Sequence, residues 1–191
     1  MVFSLPNLLT MFRIVVIPLL VAAFYLDSPE VRWASLALFS AAGISDFFDG
    51  WLARRWNKVS ALGRFLDPIA DKLLVASILL MLVAFDRMGP WSVLPALVIL
   101  CREILVSGLR EYLAELKVGM PVTKLAKWKT AVQMVALPLL MVGDAAPAWI
   151  PARDLGEVTL WAAAILTGIT GYDYLKAGLR HMAASDAASG Q

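Results

Sequence analysis

Cysteine is almost absent from this 191-residue chain: the one thiol, Cys101, lies within an apolar run. A lone cysteine argues against a disulfide framework and is expected here as a small buried hydrophobe. Charge is scarce as well. Only 17% of the residues are charged against 60% hydrophobic, and the mean hydropathy of +0.74 lies outside the usual composition of soluble globular domains. No basic run suggests a nucleic-acid partner, and the net charge of +2 says little alone, because the placement of Lys and Arg is what orients a membrane protein. What is present in quantity is long apolar runs, and these leave no room for a soluble core, since about twenty apolar residues span a bilayer. The composition predicts an all-α membrane protein with one domain over residues 1–182 and a disordered Ala- and Ser-rich tail at 183–191.

Six spans are expected. The first, Ser4 to Leu26, is interrupted only by Asn7, Thr10 and Arg13. Arg13 either snorkels to the interface or shares with Asn7 and Thr10 one helix side facing a polar cavity, and with no basic leader and no small-residue cleavage site the segment does not read as a cleaved signal peptide. Ser28, Pro29 and Glu30 supply a capping hydroxyl, a proline at the first helical position and an acid in the first turn, which starts a second helix reaching about Trp56. After a polar link, Asn57 to Ala61, a third helix runs from Gly63 to Phe85, with Pro68 removing a backbone donor beside Asp67. Asp86 to Pro90 is a tight link, Trp91 to about Leu116 a fourth helix, and Gly119 with Pro121 a stop before a fifth from about Val122 to Val142. Gly143 to Gly156 reads as a loop, and the sixth helix runs from about Glu157 to the region of Lys176 to Arg180.

With both termini cytoplasmic, this arrangement leaves only Arg32, Arg87 and Arg153 outside, which obeys the positive-inside rule. Trp33, Trp91 and Trp149 then fall at the outer boundary and Trp51, Trp56 and Trp128 toward the inner one, as an aromatic belt requires.

Within this apolar chain, four carboxylates stand between Asp46 and Asp71. A carboxylate at the bilayer centre is penalised by ~2.5–3.5 kcal/mol on insertion scales, so such groups line water-filled cavities or bind cations. At 3.6 residues per turn Asp46 and Asp49 share one helix side, as do Asp67 and Asp71. Two such helices side by side make an all-oxygen cage open to the cytoplasm, and without His or Cys it selects a hard divalent cation over zinc. Gly50, Ala53 and Gly63 are small enough for a flat ligand to approach the backbone, and Arg54 stands ready for a phosphate. A salt-bridge network with Arg54, Arg55, Arg64 and Lys72 would also satisfy the carboxylates. A divalent-cation channel or transporter would use them too, but it leaves the glycines, the alanine and the arginine without a role.

The spacing D-x2-D-G-x2-A-R-x8-G-x3-D-x3-D is filled at all eight positions, and it resembles the signature of the CDP-alcohol phosphotransferases. That resemblance implies a homodimeric membrane enzyme of the bacterial inner membrane with two divalent ions, Mg²⁺ or Mn²⁺. In this family a CDP-linked donor is attacked by an acceptor hydroxyl and CMP leaves. Carried over by position, Asp46, Asp49 and Asp67 look like metal ligands and Asp71 like a metal-associated general base. Gly50, Ala53, Arg54 and Gly63 match the cytidine-diphosphate platform, with Asn7 and Thr10 beside it. The blocks PNLLTMFRIVVIP, SDFFDGWLARRWN, FLDPIADKLL, CREILVSGLREY and AKWKTAVQMVAL resemble the branch whose donor is CDP-diacylglycerol and whose acceptor is glycerol 3-phosphate. Sister activities use inositol phosphate, serine or phosphatidylglycerol. An acceptor with its own phosphate needs further cations, and Arg102, Arg110 and Lys127 are the expected ones, with Lys124 and Lys129 as weaker candidates.

Overall fold

The computed structural model describes residues 5–56, 61–115, 118 and 124–189; for 5, 6, 46, 47, 49–56, 61, 62, 64, 124 and 183–189 it describes the backbone alone. Among the described residues the chain is helical throughout: α1 (Leu5–Leu26), α2 (Pro29–Trp56), α3 (Ala61–Ala84), α4 (Val93–Glu115), α5 (Lys124–Val142) and α6 (Ala152–Ser189), with single 3-10 turns at Pro90–Ser92 and Gly143–Ala145. Three stretches are long and apolar enough to cross a bilayer, Asn7–Leu26, Pro90–Glu115 and Leu125–Ala145. The apolar character of α3 is broken by Asp67, Asp71 and Lys72, and that of α6 by Asp173, Lys176 and Arg180. The link expected at residues 57–60 and the stop at Gly119 and Pro121 lie outside the described residues.

Contacts divide the chain into two compact units, Met1–Gly89 with Met134–Glu157, and Pro90–Gln133 with Val158–Gln191. In the first unit α1 packs against both α2 and α3, and Leu20, Phe24, Phe39, Ile78 and Leu82 are buried. Phe24 and Tyr25 both meet Phe85, at ring-centroid distances of 5.8 and 5.0 Å. In the second unit Val106, Leu109 and Leu113 of α4, Ala126 of α5 and Tyr174 of α6 form a buried cluster. Large apolar side chains such as Val15, Leu80, Trp91, Trp149 and Ile165 are exposed, as a chain solvated by lipid tails permits.

The start of α2 follows its sequence signals: Ser28 Oγ accepts from the Val31 amide at 3.3 Å and donates to Glu30 at 2.8 Å, with Pro29 at the first helical position. The end of α3 is a Schellman motif. Asp86 takes φ +50°, its amide reaches Val83 O, and the Arg87 amide reaches Leu82 O. Around these turns the first unit is fastened by charge. Asp27, at φ +36°, accepts from Arg32 Nε and from Arg87 Nη2, both at 2.8 Å. Arg87 also donates to Met141 O at 3.0 Å and lies 4.2 Å over the Phe24 ring, Trp33 donates to Ala145 O, and Glu157 accepts from the Gly89 amide. The Arg32 hydrogen bond, with the charges of Arg32 and Arg87, holds the Asp27 carboxyl below its ordinary pKa. A carboxyl depressed by folding contributes stability above the ordinary carboxylate pKa and loses it as pH falls through the depressed value. Thermal unfolding in detergent should therefore become easier as pH is lowered below about 4, and Asp27→Asn should remove part of that dependence while lowering the melting temperature at neutral pH.

Two sequence expectations need correction. The sixth helix begins at Ala152, not near Glu157. Gly156 is no loop residue but a packing position inside the helix: a Cβ there would lie 2.8 Å from Leu140 Cγ, so only glycine lets the two segments approach this closely. The described backbone of α6 runs to Ser189, in keeping with the high helix propensity of the alanines near its end. Cys101 is exposed, not buried.

Candidate active site

The polar side of α1, expected to face a polar cavity, is buried, with Asn7 at 3%, Thr10 at 1% and Arg13 at 0% exposure. What it faces is α3. Thr10 Oγ donates to Asp67 Oδ1 at 2.5 Å. The Arg13 guanidinium then spans one helical turn: Nη2 lies 3.4 Å from Asp67 Oδ1, and Nη1 is bonded to Asp71 Oδ1. A buried guanidinium requires compensation, and the two carboxylates provide it from positions i and i+4. Their own side chains remain 42% and 47% exposed, so both carboxylates stay half-exposed while they offset the buried guanidinium. The helix of α3 continues through Pro68, and Gly63, one turn before Asp67, is buried.

Asp46, Asp49, Gly50, Ala53 and Arg54 all lie on the continuous helix α2, which fixes Asp46 and Asp49 three residues apart on one helix; their side chains lie outside the described residues. Among the described residues no group of three or more His, Cys, Asp or Glu side chains converges on a metal position.

The second unit carries a different polar site. A cavity of about 200 Å³ is lined by Arg102, Glu103, Val106 and Arg110 of α4, Ala126, Lys129 and Thr130 of α5, and Tyr174 of α6. Arg102 places Nη2 3.3 Å from Thr170 Oγ1 and its guanidinium carbon 5.6 Å from the centre of the Tyr174 ring. The Arg102 stem fits because residue 171 is glycine, where a Cβ would stand 2.8 Å from Arg102 Cγ. Lys129 Nζ and Arg102 Nη1 both bind Glu103 Oε1, the latter at 3.3 Å. Two of the expected acceptor cations, Arg102 and Arg110, are thus brought together. The third, Lys127, is exposed and does not line the cavity; Lys129, only 7% exposed in its side chain, takes that place.

Residues 3–169 match the sequence profile of the CDP-alcohol phosphatidyltransferases. The chain belongs to that family. It is 49% identical over 174 residues to a protein of Rickettsia felis named CDP-diacylglycerol–glycerol-3-phosphate 3-phosphatidyltransferase, covering 91% of this chain and 94% of the relative. Proteins of the same name from Salmonella choleraesuis and Cereibacter sphaeroides are 42% and 38% identical, over 93% and 94% of this chain and 96% and 97% of theirs. Family membership makes the chain a phosphatidyltransferase, and its apolar helices make it a multi-pass membrane protein.

Sequence reasoning placed Arg13 on the polar face of α1 with Asn7 and Thr10 but did not foresee its partners Asp67 and Asp71, and it singled out neither the Glu103 ion pairs nor the place of Tyr174 in the cavity. For Glu103 no local pattern exists, since its partner Lys129 is 26 residues away on another helix.

Proposed function

We propose that the protein transfers the phosphatidyl group of CDP-diacylglycerol to glycerol 3-phosphate, giving phosphatidylglycerophosphate and CMP. The observation that carries the acceptor choice is the cavity in which Arg102, Arg110 and Lys129 converge: three cations suit an acceptor that brings its own phosphate. The name shared by relatives at 38–49% identity points the same way.

On this reading residues 1–182 act as one transferase domain of six spans in the bacterial inner membrane, as a homodimer, with both termini and the site cytoplasmic. Support comes from the family match over residues 3–169 and from the extramembrane links of the first unit. Arg32, Arg87 and Arg153, the cations assigned to the outer side, all bond to the turns next to Asp27, Asp86 and Val142.

Asp46, Asp49, Asp67 and Asp71 would hold two divalent ions, Mg²⁺ or Mn²⁺. The chemistry of the described pair fits them: Asp67 and Asp71 offer hard oxygens, half-exposed and already oriented, and magnesium is commonly held by one or two carboxylates together with substrate phosphates. When bound, such ions neutralise charge on the pyrophosphate. The chain's own residues do the rest. Gly50, Ala53, Arg54, Gly63, Asn7 and Thr10 seat the cytidine diphosphate. Asp71 takes the proton of the acceptor hydroxyl as its oxygen bonds to the phosphatidyl phosphorus and the bond to CMP breaks. Arg13 orients Asp71 and Asp67, and Arg102, Arg110 and Lys129 hold the acceptor phosphate, with Lys127 at most at its margin.

Arg13→Lys keeps the charge but loses the fork that serves two carboxylates. It should lower kcat about tenfold, the loss of one charge-assisted contact of ~1.5 kcal/mol, while leaving the KM for glycerol 3-phosphate unmoved. An acceptor panel of glycerol 3-phosphate, inositol phosphate, serine and phosphatidylglycerol, assayed with CDP-diacylglycerol, tests the substrate assignment. Glycerol 3-phosphate should be used best, and preference for another acceptor would overturn the assignment.

A further inference from the structure

Within the cation cavity sits a carboxylate that an anion-binding site would not need. Glu103 Oε1 engages both Lys129 and Arg102, the two cations whose side chains are 7% and 10% exposed. Arg110 lines the same cavity and is exposed, so the cavity also holds a cation beside the two that Glu103 engages. We propose that Glu103 is a resident counter-ion that holds Arg102 and Lys129 in place between turnovers and competes with the acceptor phosphate for them.

Charge balance supports this role. Three cations facing Val106 and Ala126 would repel one another and lose hydration, and Glu103 offsets that while the cavity waits for substrate. With Glu103 ionised the lining carries two net positive charges, which a phosphate monoester can balance, since its second pKa is about 6. Product release supports it too, by way of the proposed reaction, on which this inference rests. The acceptor's phosphate is not the group that reacts, so it remains on the product. A cavity that grips this phosphate equally in substrate and product gains nothing in the transition state and retards release. A carboxylate poised to reclaim Lys129 and Arg102 limits that grip.

The test uses the full-length protein in lipid–detergent micelles with CDP-diacylglycerol, glycerol 3-phosphate and Mg²⁺. Glu103→Gln should lower the KM for glycerol 3-phosphate about tenfold, leave that for CDP-diacylglycerol unchanged, and lower kcat. Phosphatidylglycerophosphate should inhibit the variant at correspondingly lower concentration, and rapid mixing should reveal a burst of CMP, because release has become slower than chemistry. Glu103→Asp, which keeps the charge on a shorter side chain, should fall between wild type and Glu103→Gln; if Glu103→Gln does not fold, tighter product inhibition of Glu103→Asp carries the same test. An unchanged or raised KM for glycerol 3-phosphate, or unchanged product inhibition, would overturn the counter-ion role while leaving the proposed reaction intact. A wild-type protein that releases no CMP with glycerol 3-phosphate would overturn both.

Discussion

Asp67→Asn is expected to reduce phosphatidyl transfer by at least ~100-fold, a barrier increase of ~2.7 kcal/mol, in a protein that still inserts and purifies. Asn matches Asp in size, and its carbonyl oxygen can keep the Thr10 hydrogen bond. Arg13 retains Asp71, and the site of substitution is half-exposed, so the folding penalty is small compared with removing a fully buried ion-pair partner. What disappears is the negative charge with which Asp67 would, on the proposed reading, hold a divalent ion. Asp49→Asn, on α2, should behave alike. Size-exclusion profile and melting temperature show whether the variant is folded, and CMP release shows whether it is active. Activity above about a tenth of wild type, a loss of less than ~1.4 kcal/mol, would remove Asp67 from the ligand set.

Arg110→Ala is expected to act on one substrate only. Arg110 lines the cation cavity from α4 and is exposed, so its removal is mild for the fold, whereas glycerol 3-phosphate, bound as proposed, would lose a two-pronged contact. A charge-assisted contact of ~1.5–3 kcal/mol corresponds to roughly a tenfold to hundredfold fall in kcat/KM toward glycerol 3-phosphate, with the KM for CDP-diacylglycerol unchanged. Arg110→Lys should restore part of it, keeping charge without the fork. Varying each substrate in turn measures this. If the KM for CDP-diacylglycerol rose and that for glycerol 3-phosphate stayed, the cavity would belong to the donor.

Much of the fold and site was legible in the chain because it is written locally. The α2 cap is carried by Ser28, Pro29 and Glu30 in succession, and the buried face of α1 by polar residues three apart in an otherwise apolar helix. The aspartate spacing is likewise local, a matter of one turn on each of two helices. Tertiary partners were not legible. That Arg13 would bridge Asp67 and Asp71 depends on α1 packing against α3. The choice between Lys127 and Lys129 depends on the rotational phase of α5, which Glu103 on α4 helps to set.

Burial was the harder property to foresee. In a chain solvated by lipid, an apolar residue gains little by moving from the lipid face to the interior, so apolarity does not distinguish them; Cys101 proved exposed for that reason. Small residues carry two meanings as well. Gly156 suggested a loop and turned out to sit inside α6, where close packing against Leu140 requires it, while Gly143, at φ +48° just past α5, does end a helix.

Metal-assisted transfer of a phosphatidyl group to glycerol 3-phosphate requires that both products form together and only when a divalent ion is present. Purified protein, stripped by exhaustive chelation, is supplied with CDP-diacylglycerol and glycerol 3-phosphate, and CMP and phosphatidylglycerophosphate are measured before and after Mg²⁺ or Mn²⁺ is restored. The expected result is no turnover without the ion and equal amounts of the two products with it. Substantial turnover after chelation, or CMP release without a matching lipid product, would contradict it.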